Sequence, residues 1–170
     1  MQRVCRTGGG GSVATTVITN KTHIVIHHSL TSDGDTVSWD AIKKYHMEEN
    51  GWRDIGYHFG VERVGSGYSV LLGRMPDEDG AHCKEAKMNS RGIGVCLVGN
   101  FDIAAPPAGQ WEKALKLCYW LVRAYSIPYQ HVIGHREGQA MGGLLPGARK
   151  SCPGTKFDMD RFRGDLFEMA

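Results

Sequence analysis

The sequence predicts a single α/β domain, a mixed central β-sheet flanked by α-helices. Three observations carry that reading. At 170 residues the chain is long enough for one compact domain with a sizeable core and too short for two ordinary ones. Short apolar runs rich in β-branched residues interleave with stretches of helical period. The interleaving follows no strict βαβ rhythm and contains no repeat, so a mixed sheet is expected rather than an all-parallel one.

Taken in order, residues 1–20 carry Gly8 to Gly11 and Ser12, a composition with high backbone entropy and little to bury, and are expected to form a flexible arm ahead of a domain spanning 21–170. Ile24, Val25 and Ile26 make a buried strand that ends in His27 and His28 and is closed by the turn-like T-S-D-G-D. From Thr36, the residues Val37, Ala41, Ile42 and Tyr45 recur at helical spacing opposite Lys43, Lys44, Glu48 and Glu49, with Asn50-Gly51 as the stop. Two strands flank G-S-G as a hairpin, and a polar connector leads to I-G-V-C-L-V-G, an apolar run suited to the middle of a sheet. Trp111, Ala114, Leu115, Cys118, Leu121, Val122 and Tyr125 mark a long amphipathic helix over 110–125. The short strand Q-H-V-I-G-H is followed by a glycine-rich loop to Cys152 and a final helix capped by Asp158. Trp39, Trp111 and Trp120 read as core residues on their helices and Trp52 as a packing residue.

Composition excludes several functions. Twenty basic against 18 acidic residues leave no excess for a nucleic-acid footprint. No run approaches the roughly 18 apolar residues of a membrane span. An odd count of five cysteines at irregular spacings, and an N-terminal stretch without an apolar signal core, point to a reducing, cytoplasmic home.

Three strand ends or their exits deliver metal-ligand types: His27 or His28, His135 and Cys152. Successive strand residues point to opposite faces, so only one of the His27-His28 pair can join a common site. Cys96 and Cys118 lie on apolar faces and read as core. Cys152 sits between a loop without an apolar face and Pro153-Gly154, where a cysteine is a reactive thiol, a ligand or incidental. Two imidazoles and a thiolate without a fourth protein ligand would leave the open position of a catalytic zinc.

The ordered set I-H-H-S, G-W-R-D-I-G-Y-H-F, G-A-H, N-S-R-G-I-G-V-C-L-V-G-N, I-G-H-R-E and K-S-C-P-G resembles the zinc-dependent N-acetylmuramoyl-L-alanine amidases of the type-2 family, which includes phage endolysins and the peptidoglycan recognition proteins. The resemblance covers residues from about 23 to 168. It implies one Zn2+ per chain held by His27, His135 and Cys152, with His27 favoured over His28. It implies catalytic roles for Tyr57 and Lys150, whose phenol and ammonium would stabilise negative charge as an amide carbonyl is attacked. Glu137 is a further candidate base. His82 and Asn89 match positions that line the groove for glycan and stem peptide. The implied function is hydrolysis of the amide between N-acetylmuramoyl and L-alanine in peptidoglycan, by a monomeric single-domain endolysin of a phage or prophage. Such a protein would gather in the cytoplasm and reach the wall through a holin-like route. Two departures stand out: the His135 to Cys152 spacing is longer than in phage-type members, and Cys83 is an unusual neighbour of the groove, expected as a surface thiol.

Overall fold

The computed structural model describes residues 20–31 and 38–169. All but the last residue of the expected arm, and Thr36 and Val37 of the expected first helix, lie outside these. Five strands, β1 (His23–His28), β2 (Phe59–Val64), β3 (Gly67–Leu72), β4 (Gly92–Leu97) and β5 (Val132–Gly134), form one sheet in the order β3-β2-β4-β1-β5. β2, β4, β1 and β5 run parallel, and β3 adds antiparallel at one edge through the Gly65-Ser66 turn. Gly65 takes φ +61°, the left-handed conformation that a tight hairpin requires. I-G-V-C-L-V-G supplies the middle strand, β4, as its continuous apolar character predicts.

Strand alternation divides two chemistries between the faces. Ile24 and Ile26 of β1 and Ile93, Val95 and Leu97 of β4 face the main core. Helices α3 (Ala108–Ala124) and α5 (Met159–Glu168) close that core with Leu115, Leu121, Phe162 and Leu166. On the other face Val25 packs with Met88 and Ile133, and Cys96 with Trp39 and Ile42, under α1 (Trp39–Glu48), α2 (Met88–Arg91) and α4 (His135–Met141). His27 points to this second face.

The helices depart from the expected pattern in instructive places. α1 starts at its Ser38 cap, whose hydroxyl accepts from the Ala41 amide at 3.2 Å. It buries Trp39, Ile42 and His46, leaving Tyr45 exposed. Trp39 sets that rotation by lying over Gly60, where even a Cβ would come within 2.5 Å of its ring. α3 buries the expected face and also Gln110, whose amide donates to the Val61 and Val98 carbonyls at 3.0 and 2.8 Å. Trp111 reaches α5 through a 2.8 Å hydrogen bond to Asp165, but Trp120 is 55% exposed and is no core residue. Cys96 and Cys118 are core, and Asp158 caps α5 as expected, accepting from the Arg161 amide at 2.9 Å.

The stretch expected as a glycine-rich loop is partly helical. α4 begins at His135 and runs to Met141, and a 3-10 turn covers Pro146–Ala148. Of its glycines only Gly143, at φ +87°, uses a conformation closed to other residues. Gly138 and Gly142 instead leave room for Cys83 and Glu85, which a Cβ would meet at 3.1 and 2.7 Å.

His58 is fully buried and uses both nitrogens: Nε2 donates to the Glu78 carbonyl at 3.0 Å and Nδ1 accepts from the Gly94 amide at 2.8 Å. A second proton would point at that amide. Burial accordingly pushes its pKa down to about 4. The unfolded chain takes up this proton near pH 6.5 and the native chain does not, so stability is full above 6.5 and falls as pH drops toward 4. The loss from His58 alone is on the order of 3 kcal/mol. Urea melts at pH 7, 5 and 4 are expected to show the decline, with the His58 ring titrating near 4 by NMR; titration near 6.5 would contradict it.

Candidate metal centre

The metal-ligand types converge at the carboxyl ends of the parallel strands, where open α/β sheets place their sites. His27 is the fifth residue of β1, and His135 follows β5 directly as the first residue of α4. Cys152 returns from the following segment, and its Sγ lies 3.6 Å from His27 Nδ1. One donor atom each from His27, His135 and Cys152 lies within 4.8 Å of the others. Tetrahedral zinc, with bonds of about 2.3 Å to sulfur and 2.0–2.1 Å to nitrogen, sets S and N about 3.6 Å apart, so the donor set fits that ion. His28 turns to the opposite face, where its Nδ1 accepts from the Phe101 amide at 3.2 Å.

All three donors are buried, and their chemistry suits a ligand role. Burial, then the neighbouring His135 and His82, holds His27 well below the ordinary histidine range. Burial and the Lys150 ammonium bring His135 to about 4. Both imidazoles are therefore neutral, with a lone pair to give. Burial pushes the Cys152 thiol up to about 12, against the opposing pull of the His28 amide, Lys150 and Arg136. A cation must displace that proton, so metal affinity rises with pH.

Sequence reasoning passed over the residues that hold these donors in place. The Arg136 amide donates to the Cys152 carbonyl at 2.8 Å, and its guanidinium to the carbonyls of Ser151, Gly154 and Phe157 at 3.0, 2.6 and 2.9 Å. Asp102 grips the same segment from the other side, accepting from the Ser151 hydroxyl and the Thr155 amide, each at 2.7 Å. The position of Arg136 beside a ligand in G-H-R-E was the available signal. Asp102, 50 residues from Cys152, left none.

His82 and Asn89 occupy the groove wall, and each commits one polar side-chain atom to the protein. His82 is 8% exposed, and its Nδ1 sits 3.0 Å from His27 Nε2. Asn89 Oδ1 accepts from the amides of His82 and Cys83 at 2.7 and 2.8 Å. Gly80 and Gly94 leave the space that the His82 ring fills, since a Cβ on either would lie within 2.6 Å of it. If His27 gives its Nδ1 lone pair to a metal, its proton is on Nε2 and donates to His82 Nδ1. His82 then carries its own proton on Nε2, where the Gly92 carbonyl favours it although no well-formed hydrogen bond is made.

Tyr57 packs its ring on His27 at 5.1 Å between centroids, with Trp39 and His46 behind it at 6.2 and 5.5 Å. Burial, then the Cys96 and Cys152 sulfurs, raises its pKa well above the usual phenol range, so it keeps its proton and serves as a donor. Lys150 is exposed at the mouth, and its amide is fixed by Gln139 Oε1 at 2.8 Å. His27, Tyr57, His82, His135, Lys150 and Cys152 all line one cleft of about 670 Å³. Asn89 lies in an adjoining groove of about 460 Å³. Glu137 is turned away: it accepts from the Gly134 amide at 2.6 Å and pairs with Arg163 at 3.0 and 3.1 Å.

Three protein donors on the floor of an open cleft, with a phenol and an ammonium beside them, fit a class: α/β proteins whose side chains can hold a metal ion with a position left for water or substrate. Comparison with known proteins makes the assignment specific. The N-acetylmuramoyl-L-alanine amidase family profile matches residues 19–155, and the chain belongs to that family. The endolysin of Enterobacteria phage K11 is 40% identical over 141 residues, which cover 81% of this chain and 82% of that protein. Peptidoglycan-recognition protein LB of Drosophila melanogaster is 30% identical over 141 residues, 77% of this chain and 59% of that protein's length. Among solved structures, the N-acetylmuramoyl-L-alanine amidase LysC from Clostridium intestinale superposes with a TM-score of 0.71 over 88% of this chain and 87% of its own; at 24% identity it shows the shared fold.

The His82 contact predicts a measurable dependence. His82→Ala is expected to weaken zinc binding by about 10- to 100-fold, as loss of a partner to a ligand histidine does. His82→Asn, which keeps an acceptor near the Nδ1 position, should recover much of it. Competition against a chromophoric chelator reads both; equal affinity in wild type and a folded His82→Ala would contradict the assignment.

Proposed function

We propose that this member of the amidase family works with one zinc ion per chain, held by His27, His135 and Cys152, and serves as the endolysin of a phage or prophage. Family membership supplies the reaction class, hydrolysis of the amide between N-acetylmuramoyl and L-alanine in peptidoglycan. The observation that carries the metal reading is the convergence of two neutral imidazoles and a thiol, with the 3.6 Å sulfur-to-nitrogen spacing of a tetrahedral ion. When bound, zinc polarises a carbonyl and lets water act as nucleophile near neutral pH.

The chain's own residues do the rest. Tyr57, protonated and packed on His27, donates a hydrogen bond to the oxygen on which negative charge develops. Lys150 adds its charge from the mouth of the same cleft. Arg136 and Asp102 keep Cys152 and Lys150 in register with His135, so little reorganisation is needed when substrate arrives. Among the described residues no carboxylate lines the cleft, which leaves it free of like charge against a developing oxyanion. Glycan and stem peptide are the partners this reading assigns, with the groove beside His82 and Asn89 as their path. It also assigns catalysis to residues 21–170 acting as a monomer, with storage in the cytoplasm and release through a holin-like route. The similarity to phage endolysins supports that role.

Mass spectrometry of muropeptides digested with and without chelator tests the reading. Free glycan and peptide beginning at L-alanine are expected only with metal present. Cys152→Ser should lose the ion held with His27 and His135, and turnover with it, whereas Tyr57→Phe should keep that ion and lose about a hundredfold or more in kcat. Intact muropeptide after long incubation with zinc-loaded protein would instead mark a binding module without turnover.

A further inference from the structure

Cys83 is buried at 2% exposure, and the centre just described does not use it. The Asn89 carboxamide that aims His82 at His27 also holds the Cys83 amide, which directs the next side chain toward α4. There the sulfur meets Gly138, and Glu85 lies against Gly142, one helical turn further on. Cys83 Sγ is 3.7 Å from Glu85 Oε2, and that oxygen is 4.0 Å from His135 Nε2. One donor atom from each of Cys83, Glu85 and His135 lies within 4.8 Å of the others. A tetrahedral ion would place sulfur and oxygen about 3.6 Å apart, close to their present spacing, and nitrogen and oxygen about 3.4 Å apart, so bonding geometry needs His135 to move about 0.6 Å or more toward Glu85 and Cys83. The adjoining groove of about 460 Å³ reaches all three residues.

We propose that Cys83, Glu85 and His135 form a second seat for a thiophilic divalent cation, beside the first and sharing His135 with it. A thiolate, a carboxylate and an imidazole together favour zinc, cadmium or cobalt over magnesium or calcium. The shared imidazole couples the seats, because an ion drawing His135 toward Glu85 withdraws it from His27 and Cys152. Excess metal therefore inhibits, a consequence that rests on the catalytic reading of the first centre. Gly138 and Gly142 acquire a reason: they admit the two side chains that build this seat.

Cobalt(II) titration of the full chain under reducing conditions separates the seats, because each contributes one thiolate and hence its own near-ultraviolet charge-transfer band. Cys152→Ser is expected to bind one equivalent with a thiolate band, and adding Cys83→Ser should abolish it. Loss of all thiolate absorption in folded Cys152→Ser would overturn the proposal, as would a band that survives in the double variant. If Cys83→Ser alone removed every band while Cys152→Ser behaved as wild type, the second seat would stand and the first would fail. Glu85→Gln in the Cys152→Ser background guards against misfolding on loss of the buried sulfur: it should weaken cobalt binding at least tenfold, and unchanged affinity would overturn the proposal.

Discussion

Arg136 ties together the two ends of the segment that carries the candidate donors His135 and Cys152. It follows His135 directly, and through its amide and guanidinium it donates four hydrogen bonds to carbonyls between Ser151 and Phe157, the stretch that carries Cys152. Guanidinium hydrogen bonds are charge-assisted and exceed neutral ones in strength. One residue thus fixes the distance between two donors that are 17 positions apart in sequence. A chain relying on the ion alone to close that segment would meet the closure entropy at each metal-binding event. Here the protein meets it on folding, and the donors wait within 4.8 Å of one another.

The remaining donor is held by a different device. His27 sits in a strand buried throughout its length, so its ring direction follows from strand alternation, and its far nitrogen rests on His82. Three kinds of constraint therefore converge: a sheet face for His27, a strand-to-helix junction for His135, and the Arg136 and Asp102 clamp for Cys152. Each buried imidazole is kept neutral by the cost of burying a charge, the state in which histidine binds metal. Acid works against the fold and the centre by the same route, since protonation would stabilise the unfolded chain and block the donors together.

How far the sequence revealed this depended on whether the cause was local. Strand β4, the Gly65-Ser66 turn, the buried face of α3 and the Asp158 cap follow from neighbours within a few residues, and all were legible. So was the grouping of His27, His135 and Cys152, whose donor atoms the fold brings within 4.8 Å of one another, once the alternation of His27 and His28 was combined with the family pattern. α4 was missed because Gly138 and Gly142 read as breakers, whereas their absent side chains make room for Cys83 and Glu85. The rotation of α1 depends on Trp39 fitting over Gly60, a contact across 21 residues, and so Tyr45 appeared buried when it is exposed. Trp120 satisfied a compositional expectation that the helix phase overrules. The tasks of His82, Asn89 and Asp102 are tertiary hydrogen bonds, which periodicity does not register.

The proposed centre offers two imidazoles and one thiolate, with no fourth donor from the described residues, to a single catalytic ion. X-ray absorption at the zinc edge, on protein loaded with one equivalent, measures this directly. One sulfur at about 2.3 Å, two imidazole nitrogens at about 2.0–2.1 Å and one further light atom are expected. A sulfur-free shell, or two sulfurs around the same ion, would contradict it.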